Sequence, residues 1–338
     1  MKYNKCLTAV NRNKTKYGSL DLLRLHASER DLAFDQKLWN CFIDSLSQED
    51  IRLYPNTDKA YDLLAQMLDT NKELLTVAEG SDRILKNTFQ CFAVPGSKVV
   101  STNPCFPMYN VYAKMYGASI IDVPYQTEHF PFEQFINAID TETSLVILSN
   151  PSSPVGDALS IDQIKCIAEQ CKLYDCILVV DEAYIEFSDC ISAKQLVDRY
   201  NIIVVRTFSK AYGSAGVRIG YAVSNHLIKH YLNKVSSMNE LSGLSIKWIE
   251  ALYCYDDSAE YINTVKKNRS SLTAALIKCN VKYVGSQTNY INILGKLTLN
   301  GIQVKIAKMP WDNLDYTRVS IPADKTNFNQ LLLEVSTL

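Results

Sequence analysis

The sequence predicts an α/β protein built on a mostly parallel sheet. Three observations carry this: the length, an ordinary globular composition, and short apolar runs alternating with amphipathic segments from about Glu73 onward. At 338 residues the chain can form two domains or one large α/β unit, and can bury a sizeable core without staples. Hydrophobic residues make up 47% and charged residues 21%, with no low-complexity tract to argue for disorder. The 35 basic and 36 acidic residues leave a net charge of -1, so no global field draws the chain to nucleic acid or to an anionic membrane. A small molecule is the expected partner.

Taken in order, Asp35–Ser45 reads as a helix, followed by a turn at Tyr54-Pro55-Asn56. Lys98–Ser101, Ser119–Val123, Leu145–Ser149, Ile177–Val180 and Ile202–Val205 are apolar runs of strand length. Between them Ser81–Phe92, Met108–Tyr116, Phe132–Ile139 and Ile161–Tyr174 carry apolar residues at three- and four-residue spacing, which predicts helices. A long helical stretch is expected from about Asn225 to Ala251 and a second from about Asp256 to Cys279. Strands at Tyr290–Leu294, Gln303–Ile306 and Arg318–Ile321 then make a smaller α+β layer of the C-terminal third. No Pro/Gly/Ser-rich linker separates the two parts, so helix is expected to join them.

The apolar stretch Cys6–Val10 is too short for a signal sequence, and no run approaches the length of a membrane span. A cytoplasmic protein is expected. The ten cysteines are scattered without a C-x-x-C pair, and Cys166, Cys171 and Cys176 cannot line one helix face at five-residue intervals. They are expected to be reduced. His226 and His230 share a helix face, but no further ligands accompany them, so no metal is expected.

In open parallel sheets ligands collect at the carboxyl ends of strands, and four such places are chemically loaded. The run Ile177–Val180 leads into Asp181-Glu182-Ala183-Tyr184, and Ile202–Val205 into Arg206-Thr207-Phe208-Ser209-Lys210. Leu145–Leu148 leads to the rigid turn Ser149-Asn150-Pro151-Ser152-Ser153-Pro154-Val155-Gly156, and Ala78-Glu79-Gly80-Ser81-Asp82 opens a helix as a phosphate cup would. Singly, each is also what an ordinary ion pair or helix cap looks like. Gly213, Gly216 and Gly220 match neither the dinucleotide fingerprint nor a phosphate-binding loop of the nucleotidases. Together, a lysine, a strand-end anion and a phosphate cup are what pyridoxal phosphate requires: a lysine for its aldehyde, an anion for its pyridine nitrogen, and a seat for its phosphate.

The segments Asp181–Phe187 and Arg206–Gly220 resemble the fold-type I pyridoxal-phosphate aminotransferases, specifically the histidinol-phosphate aminotransferase-like subgroup. Gly80-Ser81-Asp82, Asn103-Pro104-Cys105-Phe106-Pro107-Met108-Tyr109, the Pro-Val-Gly turn at 154–156 and Arg318-Val319-Ser320 match in chain order. The resemblance implies a large domain, 46–244, with a mostly parallel seven-stranded sheet flanked by helices, and a small capping domain from 1–45 and 245–338. It implies that Lys210 holds the aldehyde and moves the proton at Cα, that Asp181 pairs with the pyridine nitrogen, and that Tyr184 donates to the ring hydroxyl. Phe106 would stack on the ring, and Gly80, Ser81, Asp82, Ser209 and Arg218 would seat the phosphate. Tyr54 would reach that phosphate from the neighbouring subunit of a homodimer, and Arg318 would grip the substrate's anionic group.

The chain also departs from the family's pattern. The turn's asparagine before the second proline, which contacts the ring hydroxyl, is Ser153 here. The Asn-Glu-Asn-Pro segment that lies over the substrate corresponds to Ser28-Glu29-Arg30-Asp31, where Arg30 is a candidate extra substrate cation. The family's Gly-Ile-x-Val-Arg strand ends in Lys305, a point charge without the bidentate fork. Transamination between an amino acid and a small, possibly phosphorylated oxo compound is the expected reaction. Threonine-phosphate-type decarboxylases share these motifs and are the alternative, as is a non-catalytic protein on the same scaffold.

Overall fold

The computed structural model describes residues 1–2, 4–11 and 21–338. Its strands are β1 (Leu23–Arg24), β2 (Leu75–Ala78), β3 (Lys98–Asn103), β4 (Ser119–Pro124), β5 (Thr143–Ser149), β6 (Ile177–Asp181) and β7 (Ile202–Thr207). They continue with β8 (Gly220–Ser224), β9 (Tyr283–Val284), β10 (Tyr290–Leu294), β11 (Ile302–Gln303), β12 (Lys305–Lys308) and β13 (Asp315–Ser320). The described residues form a seven-stranded sheet in the order β2-β8-β7-β6-β5-β3-β4. Only β8 runs antiparallel to its neighbours, β2 and β7.

The apolar runs are continuous because both faces of this sheet are covered. Alternate residues go to opposite layers: Leu178, Val180 and Val204 join one core, while Val179, Ile203 and Val205 join the other. Helices Ser81–Phe92, Pro107–Met115 and His226–Val235 cover the second layer through Ile84, Phe89, Tyr112 and Leu232. Helices Thr57–Met67, Ile161–Leu173 and Gly243–Tyr255 cover the first through Leu64, Ile167 and Trp248. The C-terminal layer is an antiparallel sheet, β12-β13-β10-β9, backed by helices Ser258–Lys278 and Lys325–Ser336 through Val265, Leu272, Leu331 and Val335.

Three elements differ from expectation. The stretch 225–251 is two helices, His226–Val235 and Gly243–Tyr255. Serines end one and start the other: Ser236 is the C-cap, and the Ser242 hydroxyl accepts from the Ser245 amide. A Cβ on Gly243 would lie 2.1 Å from the Asp50 carbonyl oxygen, so this start tolerates only glycine. Second, the strand expected at Gln303–Ile306 is split into β11, parallel to β1, and β12, antiparallel to β13. Third, β2 and β8 escaped notice because Leu-Thr-Val-Ala and Gly-Tyr-Ala-Val-Ser are short or rich in small residues.

Helix Gly243–Tyr255 adds Trp248, Ile249 and Leu252 to the large core, and helix Gln36–Asp44 adds Leu38. We propose on this packing that the large unit includes both helices and that the small domain resumes at Asp256.

Candidate active site

Parallel register brings the ends of β5, β6 and β7 to one edge, with Ser149 opposite Asp181 and Asp181 opposite Val205. Asp181 is buried there; its Oδ2 accepts from the Tyr109 hydroxyl at 2.8 Å and its Oδ1 from the Ala183 amide at 3.2 Å. Burial pushes its carboxyl up to about 6, against the pull of those two donors. A buried carboxylate whose ionisation is this costly is suited to a cationic partner.

Lys210 leaves the end of β7 and crosses to the N-terminal segment, where its Nζ donates to the carbonyls of Ala27 (2.9 Å) and Ser28 (3.2 Å). Ser28 adopts a left-handed backbone conformation, φ 54°, and its amide donates to the Ser320 hydroxyl at 3.0 Å. The loop after Lys210 is steadied from the core by Trp248, whose indole donates to the Ser214 hydroxyl at 2.7 Å. The Lys210 amine lies 5.7 Å from the centre of the Tyr184 ring. Burial alone would raise the Tyr184 phenol, but the charges of Lys210 and Arg318 and the Ser28 hydroxyl outweigh it and lower the phenol below its usual value. Tyr290 meets Tyr184 edge to face at 5.4 Å and carries the Arg318 guanidinium 4.9 Å above its own ring.

The place expected to seat a phosphate is shaped by two glycines. Gly80 has φ 93°, and a Cβ there would lie 2.5 Å from Arg218 Nη2; a Cβ on Gly220 would lie 2.1 Å from the Ser81 nitrogen. Both glycines are therefore required for the start of helix Ser81–Phe92 to meet β8 and Arg218. Arg218 donates to the Ala215 carbonyl at 3.1 Å and to the Glu79 carbonyl at 3.5 Å, which holds its guanidinium beside the start of that helix, and a helix N-terminus with an adjacent guanidinium is suited to an anion. Asp82 is tied back by the Tyr112 hydroxyl at 2.7 Å, so it positions the helix start. Ser209 follows β7, whose last residue Thr207 pairs with Gly220, and its amide donates to the Thr207 hydroxyl at 3.1 Å. A buried carboxyl with no ion-pair partner among the described residues, a lysine, and a helix start beside a guanidinium, all at one sheet edge, fit pyridoxal phosphate.

Other expected site residues fall as follows. Phe106 sits at the N-cap of helix Pro107–Met115, edge to face with Tyr109 at 5.6 Å, and so borders the Asp181 pocket. Ser153 donates its amide to the Ser149 hydroxyl at 2.9 Å, and its hydroxyl faces Tyr290. Tyr54 stands on the surface, 89% exposed. Arg30 is a correction: it is not available to a substrate. Its guanidinium is bidentate on Asp257 (2.8 and 2.7 Å), with further bonds to the Leu32 and Ala33 carbonyls, and lies over Phe34 and Tyr261. It braces the N-terminal segment against helix Ser258–Lys278.

Sequence reasoning missed Tyr109, Tyr290 and His26. Tyr109 lies inside the Asn103–Tyr109 motif, seventy-odd residues from the aspartate it touches. Tyr290 donates to the Ser152 carbonyl at 3.0 Å, and Asn292 to those of Pro154 and Val155, both at 2.9 Å. These bonds tie the turn after β5 to β10. His26 precedes the divergent Ser28–Asp31 segment, and its carbonyl accepts from Arg318 Nη2 at 3.1 Å.

Comparison with known proteins gives the family and the fold. The family model for aminotransferase class I and II matches residues 21–302. The chain is 31% identical to a histidinol-phosphate aminotransferase of Limosilactobacillus fermentum, across 96% of this chain and 93% of the relative. It is 32% identical to one of Caldanaerobacter subterraneus subsp. tengcongensis, across 79% and 77%. The solved histidinol-phosphate aminotransferase of Sinorhizobium meliloti in complex with pyridoxal-5'-phosphate shares the fold, with a TM-score of 0.88 at 21% identity across 99% and 97% of the two chains. With the family model spanning residues 21–302 and relatives at 31 and 32% identity over most of its length, the chain belongs to the class I and II aminotransferases and is a pyridoxal-phosphate-dependent enzyme.

Proposed function

We propose that the chain moves an amino group between an amino acid and a small oxo compound bearing an anionic group, with histidinol phosphate and related phosphorylated amines as the first substrates to examine. The observation that carries this is that Asp181, Lys210 and the Gly80–Arg218 pair stand at the neighbouring ends of β6, β7 and β8, with the Arg318 guanidinium over the Tyr290 ring. The names of the relatives support the substrate class.

The bound cofactor supplies an electron sink conjugated to the substrate nitrogen. Asp181 would hold the ring nitrogen protonated, and Tyr109 would hold Asp181. Gly80, Ser81, Ser209 and Arg218 would seat the phosphate, and Phe106 would cover one ring face. Lys210 would carry the aldehyde covalently and, once displaced by substrate, take the proton from Cα and return it. The lowered Tyr184 phenol would donate to the ring hydroxyl, while Arg318 orients the substrate through its fork. With Ser153 turned to Tyr290, the ring hydroxyl would depend more on Tyr184.

We further propose a homodimer in which Tyr54 reaches the partner's phosphate cup. Tyr54 and Leu53 are exposed just after the short helix Glu49–Arg52, which packs against helix Gly243–Tyr255, and Ile51 and Leu244 on those two helices are exposed as well. Cytoplasmic residence is in keeping with ten unpaired cysteines.

Amino acids and phosphorylated amines, added singly to the loaded enzyme, should bleach the cofactor's visible absorbance and yield the matching oxo compound. Carbon dioxide release without an oxo product, or no response to any donor, would contradict the reading.

A further inference from the structure

The segment from Arg24 to Ser28 crosses the mouth of the site with its carbonyls already engaged. His26 accepts from Arg318, and Ala27 and Ser28 accept from Lys210. This fixes the backbone and leaves the His26 imidazole among four charged groups: Arg24 of β1, Glu29 of the following loop, Lys305 of β12 and Arg318 of β13. Arg24 and Glu29 are paired to each other at 2.8 Å. Lys305 lies opposite Arg318 in register. Both imidazole nitrogens are shielded from solvent, yet neither has a hydrogen-bond partner among the described residues. Arg318 Nε and the Gln303 Oε1 on β11 are in the same condition. Buried polar atoms without partners are uncommon in folded proteins. Four of them beside one cation cluster mark a place that a polar ligand completes.

We propose that His26 is a specificity-determining contact for the anionic end of the substrate, and that anion binding there is accompanied by proton uptake on its imidazole. The proposal deepens the aminotransferase reading and rests on it for the identity of the site. Burial holds the free imidazole below its usual value; Arg24, Arg318 and Lys305 add to that, and Glu29 opposes them. A neutral ring has one donor and one acceptor, whereas the charged ring donates from both nitrogens. An anion set among Lys305, Arg318 and His26 reverses the local field and favours the charged ring. Burial and the Arg318 charge also lower the Lys305 amine, so this point charge alone is a weaker grip than a guanidinium fork. His26 would supply the planar donor that Lys305 lacks. Because the imidazole is lowered when free and raised when bound, affinity is greatest below the free midpoint. It declines as pH rises through the bound midpoint.

The test uses the holoenzyme, whose cofactor phosphate fills the Gly80–Arg218 cup, with inorganic sulfate as probe because its charge is constant across the imidazole range. The chain has four histidines, so their imidazole resonances can be followed in isotope-labelled protein and His26 assigned by its loss in His26→Asn. Sulfate should raise the His26 midpoint by about one pH unit, equivalent to about tenfold tighter binding at acid pH. His26→Asn should remove most of the pH dependence of sulfate affinity between those midpoints. A His26 midpoint unmoved in saturating sulfate, no sulfate binding at all, or an unchanged pH dependence in His26→Asn would overturn the proposal. Bleaching of wild-type cofactor absorbance by amino donors is read without sulfate or His26, so the two readings fail separately.

Discussion

At the scale of single residues, the role proposed for Asp181 makes cofactor binding depend on pH. Its carboxyl, raised to about 6 by burial, must be ionised to pair with a ring cation. Free Asp181 therefore gains its proton as pH falls through about 6, and cofactor affinity for the apoenzyme should be level above that value and fall below it. Tyr109→Phe removes a hydrogen bond that lowers Asp181, so the acid limb should move to higher pH by about one unit, the worth of one such bond. Cofactor titration of both apoenzymes across pH, followed by fluorescence, checks this; coincident acid limbs would deny Tyr109 its role. Asp181 and Lys210 were legible in the sequence because each ends an apolar run. Tyr109 was not, because its partner is set by the approach of helix Pro107–Met115 to β6.

At the scale of elements, the strands of the central sheet were legible wherever burial on both faces made the run continuous. The break between helices His226–Val235 and Gly243–Tyr255 was not, since it depends on serine caps and on contact between Gly243 and Asp50. The N-terminal segment shows the same limit. Arg30 reads as a spare cation because sequence does not show that Asp257, at the start of a distant helix, is folded beside it. The pair is almost closed to solvent, with side-chain exposures of 4% and 12%. Removing one partner strands the other, so Arg30→Ala should destabilise the fold by about 3 kcal/mol in denaturant titration. Its effects on phosphorylated and unphosphorylated amines should be alike. A selective loss with phosphorylated amines at unchanged stability would return Arg30 to the substrate site.

At the scale of the whole molecule, the site is proposed to be shared between two copies. Tyr54, 89% exposed, is too open to be a core residue. Mixing inactive Lys210→Ala chains with impaired Tyr54→Phe chains should then restore activity by subunit exchange. Random pairing rebuilds about one site in four, because a mixed dimer joins one intact Lys210 with one intact Tyr54. Activity no greater than that of Tyr54→Phe alone, at a confirmed exchange, would mean that each chain completes its own site.

All of these roles depend on the cofactor being carried at the junction of β6 and β7. Borohydride reduction of the pyridoxal-phosphate-loaded enzyme followed by peptide mass spectrometry locates the attachment directly. The label should fall on Lys210, and Lys210→Ala should lack both the label and the visible absorbance; attachment at another lysine, such as Lys305, or undiminished absorbance in Lys210→Ala would contradict the assignment.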